Sequence, residues 1–305
     1  MTRAAIRRLL NRAGHSIDAQ IDTGAGWQAT DQLAWQSPFQ PDFELERYAD
    51  LPDGAGVLPV CPASFRDFMV FEKHAIDAAR GLARRFMPAV YPVARIFERV
   101  TGGTFPPFRP HSLWYRQPIY YMSNALTIIP SGVPVCAPAY TEALDFELEL
   151  GVVLERPLRD ASAEEAAAAI GAVVVINDFS ARDVQFAEMR SGFGPQRAKH
   201  FATSMSSTAV TGPNVAHDLD RLTATVTIDG KVVSETGTRG MRYSLGEAIA
   251  HCSQGEQLFP GELFSTGTLP GGSGMELGRW LAPGERLRLE IDGVGVVEHL
   301  IRGEA

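Results

Sequence analysis

The stretch Leu144-Asp145-Phe146-Glu147-Leu148-Glu149-Leu150, continued by Gly151-Val152-Val153-Leu154, alternates apolar and acidic residues up to its glycine. That is the period of a β-strand. It predicts Phe146, Leu148 and Leu150 on one face and Asp145, Glu147 and Glu149 on the other. At about 3.3 Å of rise per residue, Glu147 and Glu149 would project side by side, roughly 7 Å apart. An ordinary half-buried strand spreads Thr, Lys and Ser over its polar face. Three acids repel one another, and next to the apolar run 151–154 they are partly desolvated, which disfavours their charge. Two readings are open. A hard divalent cation with oxygen ligands would remove the penalty, or the acids form a solvated edge that discourages aggregation.

Composition narrows the function classes. The chain has 305 residues, 45% hydrophobic and 21% charged, as an ordinary globular protein with a sizeable core does. A net charge of −8 leaves no basic excess to neutralise phosphates, so a nucleic-acid partner is not expected. Cys61, Cys136 and Cys252 stand far apart with no CxxC pair. That is neither a disulfide framework nor a zinc site, and it fits a reducing cytoplasm. The longest apolar run, around 166–176, is too short to cross a bilayer. Near the start, Arg3, Arg7, Arg8 and Arg12 stand among small and aliphatic residues. They read as a plain amphipathic helix, with a transit segment as the alternative.

Taken in order, residues 1–61 are polar and irregular, carry no recognisable chemistry and stay unassigned; the rest, 62–305, forms the second region. From 62 to about 97 the pattern is helical, with Ser64 as a cap and a break near Pro88. Asp67 and His74, seven residues apart, would then lie two turns apart on one helix face. A lone helical histidine is more often structural than catalytic. The Gly-, Pro- and aromatic-rich stretch 101–118 reads as a covering loop. Beyond the acidic strand, Ser162-Ala163-Glu164-Glu165 matches a capping box. A second buried strand, 173–176, ends in Asn177-Asp178-Phe179-Ser180-Ala181-Arg182-Asp183-Val184-Gln185. A polar cluster at a strand end is where sites are commonly built. Asp178 is either a further metal carboxylate or part of an Asx turn. Arg182 and Gln185, three apart, would stand side by side on a helical turn. Asp229-Gly230 and Asp292-Gly293 mark hairpins, and 245–252 reads as a helix.

LDFELELGVVL, INDFSARDVQ, SQGEQLFPGELFSTGT and GSGMEL together resemble the fumarylacetoacetate hydrolase superfamily, in its hydrolase-like branch. The resemblance implies an α+β fold, a mixed β-roll with a short N-terminal region and a helical lid. It also implies a homodimer, and one divalent cation, Mg²⁺ first, with Mn²⁺ or Ca²⁺ as alternatives. The implied metal ligands are Asp67, Glu147, Glu149 and Asp178. His74 would be the base and Glu276 its partner, with Arg182, Gln185 and Lys199 as oxyanion donors. Tyr121 and Thr268 would touch substrate. Met69 would too, standing where the better-known hydrolase has tyrosine. After Tyr120-Tyr121 many relatives carry a cation, whereas this chain has Met122-Ser123-Asn124. The segment 75–110 is longer than in compact relatives and would serve as a specificity lid or only pack.

The implied activity is metal-dependent hydrolysis of a C–C bond in a β-diketone or diketo-acid, a small-molecule substrate. A cation stabilises the leaving carbanion as a Lewis acid. A near-neutral histidine can take the proton from water, and fixed donors can stabilise the oxyanion. The enzyme alternative is decarboxylation, isomerisation or dehydration on the same scaffold. The alternative from another class is a metal-stabilised binding protein without chemistry.

Overall fold

The strand Leu148–Leu154 is buried along its whole length. It pairs antiparallel with Ile170–Asp178 on one side and Leu263–Ser265 on the other. The computed structural model describes residues 3–303 apart from 32, 34, 36, 213 and 214. From edge to edge, the path through the large sheet runs Trp27–Ala29, Ser16–Asp22, Ala4–Asn11, Thr208–Thr211, Ile170–Asp178, Leu148–Leu154, Leu263–Ser265, Phe65–Phe68 and Tyr120–Ser123. A second sheet is ordered Lys231–Gly237, Thr223–Ile228, Arg286–Ile291, Gly295–Arg302 and Val135–Cys136. The class is α+β with mixed strand directions. No helix among the described residues is long and apolar enough to cross a membrane.

Period-2 geometry divides the two central strands between two cores. Leu148, Leu150, Val152, Leu154, Val173 and Val175 pack toward the second sheet with Val226, Leu289 and Val297. Val153, Ala172, Val174 and Ile176 pack on the opposite face with Ile6, Leu58 and Phe65. Strands covered on both faces read as apolar runs, as 150–154 and 172–176 do. The alternation expected across 144–150 is interrupted. Leu144–Asp145 pairs separately with Ser180–Ala181, and at Phe146 the chain leaves the ladder. The Glu147 N–H there donates to the Asn177 side chain at 2.9 Å. Asp145, Glu147 and Glu149 are 0%, 5% and 0% exposed, which overturns the solvated-edge reading.

Two further expectations are corrected. The arginine-rich start is the strand Ala4–Asn11, pairing with Thr208–Thr211 and Ser16–Asp22. Ala4, Ile6 and Leu10 recur at even spacing and turn inward, while Arg8 reaches buried Glu44 at 2.7 Å. These residues thereby extend the large sheet. The helix expected from 62 begins only at Glu72. Phe65–Phe68 is a strand, parallel to Leu263–Ser265, and Ser64 donates to Glu262 at 2.6 Å instead of capping. Arg66 is buried against Glu256 and Glu262, contacts distant in sequence that override local helical periodicity. The break at Pro88 is present, between helices Glu72–Phe86 and Val90–Thr101. Both N–H bonds of the Ser162–Glu165 capping box form. Asp229 and Gly230 both have positive φ, as a type I′ hairpin turn requires.

Candidate active site

Opposed residues on neighbouring strands share a face. Asp67 lies opposite both Ser265 and Tyr121, and Ser265 lies opposite Gly151. Glu149 lies opposite Ile176. Two-residue steps carry that face from Gly151 to Glu149 and from Ile176 to Asp178. Four strands therefore bring Asp67, Glu149, Asp178 and Tyr121 to one place. One carboxylate oxygen from each of the three acids lies within 4.8 Å of the others, and all three side chains are buried.

The three acids are not equally satisfied. Asp67 accepts from Ser265 Oγ at 2.6 Å. Asp178 accepts from Tyr121 Oη and Lys199 Nζ, both at 2.6 Å, and from Thr203 Oγ1 at 3.1 Å. Neither Glu149 oxygen has a hydrogen-bond partner among the described residues. Burial, then the neighbouring Asp178, push the Asp67 carboxyl up to about 8. Burial, then Asp67 and Asp178, hold Glu149 well above the usual carboxylate range. A buried carboxylate without donors is costly as an anion, and an oxygen-only donor set suits a hard divalent ion. The residues present fit such an ion on Asp67, Glu149 and Asp178. The fourth expected ligand, Glu147, is engaged elsewhere. Its oxygens accept from Arg182 at 2.7 Å and from Lys199. Burial opposes its charge, but Arg182 and then Lys199 outweigh that and hold its pKa below the usual range.

His74 stands in the first turn of the helix Glu72–Phe86, so it and Asp67 do not share one helix face; the chain turns between strand and helix. Its Nδ1 lies 3.0 Å from Glu276 Oε2, and the two side chains are 5% and 4% exposed. Ser273 Oγ donates to the same Glu276 oxygen and the Gly271 N–H to the other, each at 2.9 Å. Burial pulls the His74 pKa down, but the Glu276 carboxylate outweighs it and the net shift is upward. The 101–118 stretch covers this helix end. Trp114 Nε1 donates to the Met69 carbonyl and Tyr115 Oη to Glu72, both at 2.5 Å.

Of the expected donors, Arg182 is fully buried. Its Nε donates to Asp145 at 2.7 Å and its Nη1 to Gln185 at 2.8 Å, which leaves the Gln185 oxygen occupied as an acceptor. Lys199 bridges Glu147 and Asp178, leaving one of its three N–H groups. Thr268 is buried beyond the end of Leu263–Ser265, and the Met69 side chain is exposed. Sequence reasoning missed Ser265, Thr203 and Trp114. Ser265 carried a usable signal, since it falls inside the quoted FSTGT segment on a strand.

Residues 108–302 match the family model described as fumarylacetoacetate (FAA) hydrolase C-terminal. Among curated proteins, the mitochondrial oxaloacetate tautomerase FAHD1 of Pongo abelii is 31% identical over 155 residues, 51% of this chain and 70% of that protein. Several solved structures share the fold, among them two enzymes. One is 5-carboxymethyl-2-hydroxymuconate delta-isomerase from Mycobacterium smegmatis, with a TM-score of 0.68, 18% identity and 98% and 100% of the two chains covered. The other is fumarylacetoacetate hydrolase from psychrophilic Exiguobacterium antarcticum, again with a TM-score of 0.68 and 18% identity, covering 99% and 100%. With the motifs, the sheet and nearly two hundred consecutive residues in agreement, the chain belongs to the fumarylacetoacetate hydrolase family.

Proposed function

We propose that this chain is an enzyme hydrolysing a C–C bond in a β-diketone or diketo-acid, with His74 moving the proton. The observation that carries the reading is the buried His74–Glu276 pair, in which Nδ1 is held at 3.0 Å and Nε2 takes no hydrogen bond among the described residues. A carboxylate on one ring nitrogen sets the tautomer and supports the charged form, which is what a general base requires. A divalent cation on Asp67, Glu149 and Asp178 would supply Lewis-acid polarisation of the two carbonyl oxygens. His74 Nε2 takes a proton from water, whose hydroxide adds to one carbonyl carbon. The remaining Lys199 N–H stabilises the oxyanion. The C–C bond then breaks, one fragment leaving as a carboxylic acid, and the imidazolium returns the proton to the departing carbon. The loop carrying Trp114 excludes bulk water from the dyad.

The similarity to oxaloacetate tautomerase favours one other reading. Here His74 takes its proton from the carbon between the carbonyls and returns it at oxygen, with no water consumed. A panel of acylpyruvates and oxaloacetate with Mg²⁺, analysed by mass spectrometry, separates the two. Hydrolysis yields two smaller products that together carry one added water. Isomerisation changes the ultraviolet band and leaves the mass unchanged. Intact mass across the whole panel, beside a changing band, would overturn hydrolysis.

A further inference from the structure

Asp145 begins the acidic row, yet it takes no part in the carboxylate triad. It is fully buried, and its two oxygens accept four hydrogen bonds. Oδ1 takes the Phe146 and Gly274 N–H groups, both at 2.8 Å. Oδ2 takes Arg182 Nε at 2.7 Å and the Met275 N–H at 2.9 Å. Those four bonds use the whole acceptor capacity of a carboxylate. Two of them hold consecutive amides in the turn that carries Glu276, one residue beyond Met275. The approach is close. A Cβ on Gly274 would stand 2.4 Å from Asp145 Oδ1, so only glycine lets the carboxylate meet this backbone. The rest of the turn lies against the strand that follows Asp145, through Leu148 N–H to Gly272 O at 2.9 Å and the bridge between Glu147 and Ser273.

We infer that Asp145 is a positioning residue, holding the Gly274 and Met275 amides so that Glu276 stands where it can orient His74. The inference rests on the proton-transfer role proposed for His74. Asp145→Asn is the sharpest perturbation, because it keeps the shape and removes acceptors. Whichever way the amide is turned, its NH₂ meets two N–H donors, so at least two of the four bonds are lost. A shift of about 1 Å in Glu276 is enough to lower turnover roughly a hundredfold.

The experiment compares wild type, Asp145→Asn, Glu276→Gln and the double variant. It reads the His74 ring titration by NMR, and turnover with Mg²⁺. Asp145→Asn should lower the His74 ring pKa in the same direction as Glu276→Gln, and the double variant should match Glu276→Gln in both readouts. An unmoved His74 titration in Asp145→Asn would overturn the inference. So would a double variant worse than Glu276→Gln by the full single-variant factor, since Asp145 would then act independently of Glu276. Amide exchange in the wild-type chain decides the case in which Asp145→Asn does not fold. Gly274 and Met275 should exchange as slowly as the Leu148–Leu154 strand, and exchange at the rate of exposed loop amides would refute the contact. The ring titration needs no substrate, so the positioning role stands or falls even if no β-dicarbonyl is turned over.

Discussion

Gly81→Ala tests how closely the two halves of the dyad are held. Gly81 is buried in the helix Glu72–Phe86, two turns beyond His74 and therefore on the same side. A Cβ at Gly81 would stand 2.3 Å from the carbonyl oxygen of Met275, the residue before Glu276. Ordinary contact begins near 3.4 Å, so helix and turn would have to separate by about 1 Å, as overpacked contacts do. The 3.0 Å contact between His74 and Glu276 would then open to about 4 Å, beyond hydrogen-bond reach. Two stability effects oppose each other. Alanine gains about 1 kcal/mol over glycine in a helix interior, and overpacking costs about 1–3 kcal/mol. The net loss of about 0–2 kcal/mol shifts Tm by only a few degrees in a chain of this size, so the variant stays folded. A displacement of about 1 Å should nevertheless lower kcat on the order of a hundredfold. Calorimetry checks the fold, mass spectrometry checks metal retention, and steady-state kinetics reads the chemistry. Turnover within about threefold of wild type in a folded, metal-loaded Gly81→Ala chain would refute the claim that this contact sets the dyad distance.

Three further outcomes are expected. Glu149→Ala should abolish retention of a divalent ion; because it also removes an unpartnered buried carboxylate, it should leave the metal-free chain no less stable, which a chelator-treated melt would check. Metal-free stability should depend on pH through Asp67: with the folded value raised to about 8, its contribution is full below the ordinary carboxylate range and lost as pH rises through about 8. Saturating Mg²⁺ should flatten that loss by binding the ionised form, and a metal-free melting curve flat across this window would count against it. The rising, acidic limb of the pH–rate profile should titrate above the range of ordinary histidine, because Glu276 raises the His74 pKa; Glu276→Gln should move the limb down, and an unmoved limb would remove His74 from the proton transfer.

What was legible in the sequence was whatever depends on neighbours along the chain. The 148–154 and 173–176 strands, the Ser162 cap, the Asp229-Gly230 turn and the Arg182–Gln185 pair all follow from local spacing, and the structure has them. What was misread depends on partners far away. Phe65–Phe68 carries apolar residues compatible with a helix, yet pairing with Leu263–Ser265 and the buried ion pairs of Arg66 make it a strand. Ala4–Asn11 becomes a strand between the nearby Ser16–Asp22 and Thr208–Thr211, the latter some two hundred residues away. Parity along 144–150 places Asp145 with Glu147 and Glu149, but the chain leaves the ladder at Phe146 and sends Asp145 to another task. No local pattern signals that step, because what replaces the ladder there is the side chain of Asn177 and the turn at Ser273.

The charges of the site account for why a cation fits it and where. Arg182 is shared by Asp145 and Glu147, and Lys199 by Glu147 and Asp178. Three buried carboxylates are thus held by two buried cations. Asp67 and Glu149 touch neither, and burial together with the neighbouring acids drives their pKa values upward. A lysine in their place would bring one positive charge to two carboxylates, whereas a divalent ion would bring two and could share Asp178 with the Lys199 bridge. The same arrangement limits the expected donors. Arg182 serves Asp145, Glu147 and Gln185 at once, so its main effect is to keep Glu147 charged and in place. Lys199, with one N–H left, is the group that can answer a growing oxyanion. Lys199→Met should therefore slow turnover more than Arg182→Lys does, and the reverse order, in chains that retain the metal, would shift the oxyanion role to Arg182.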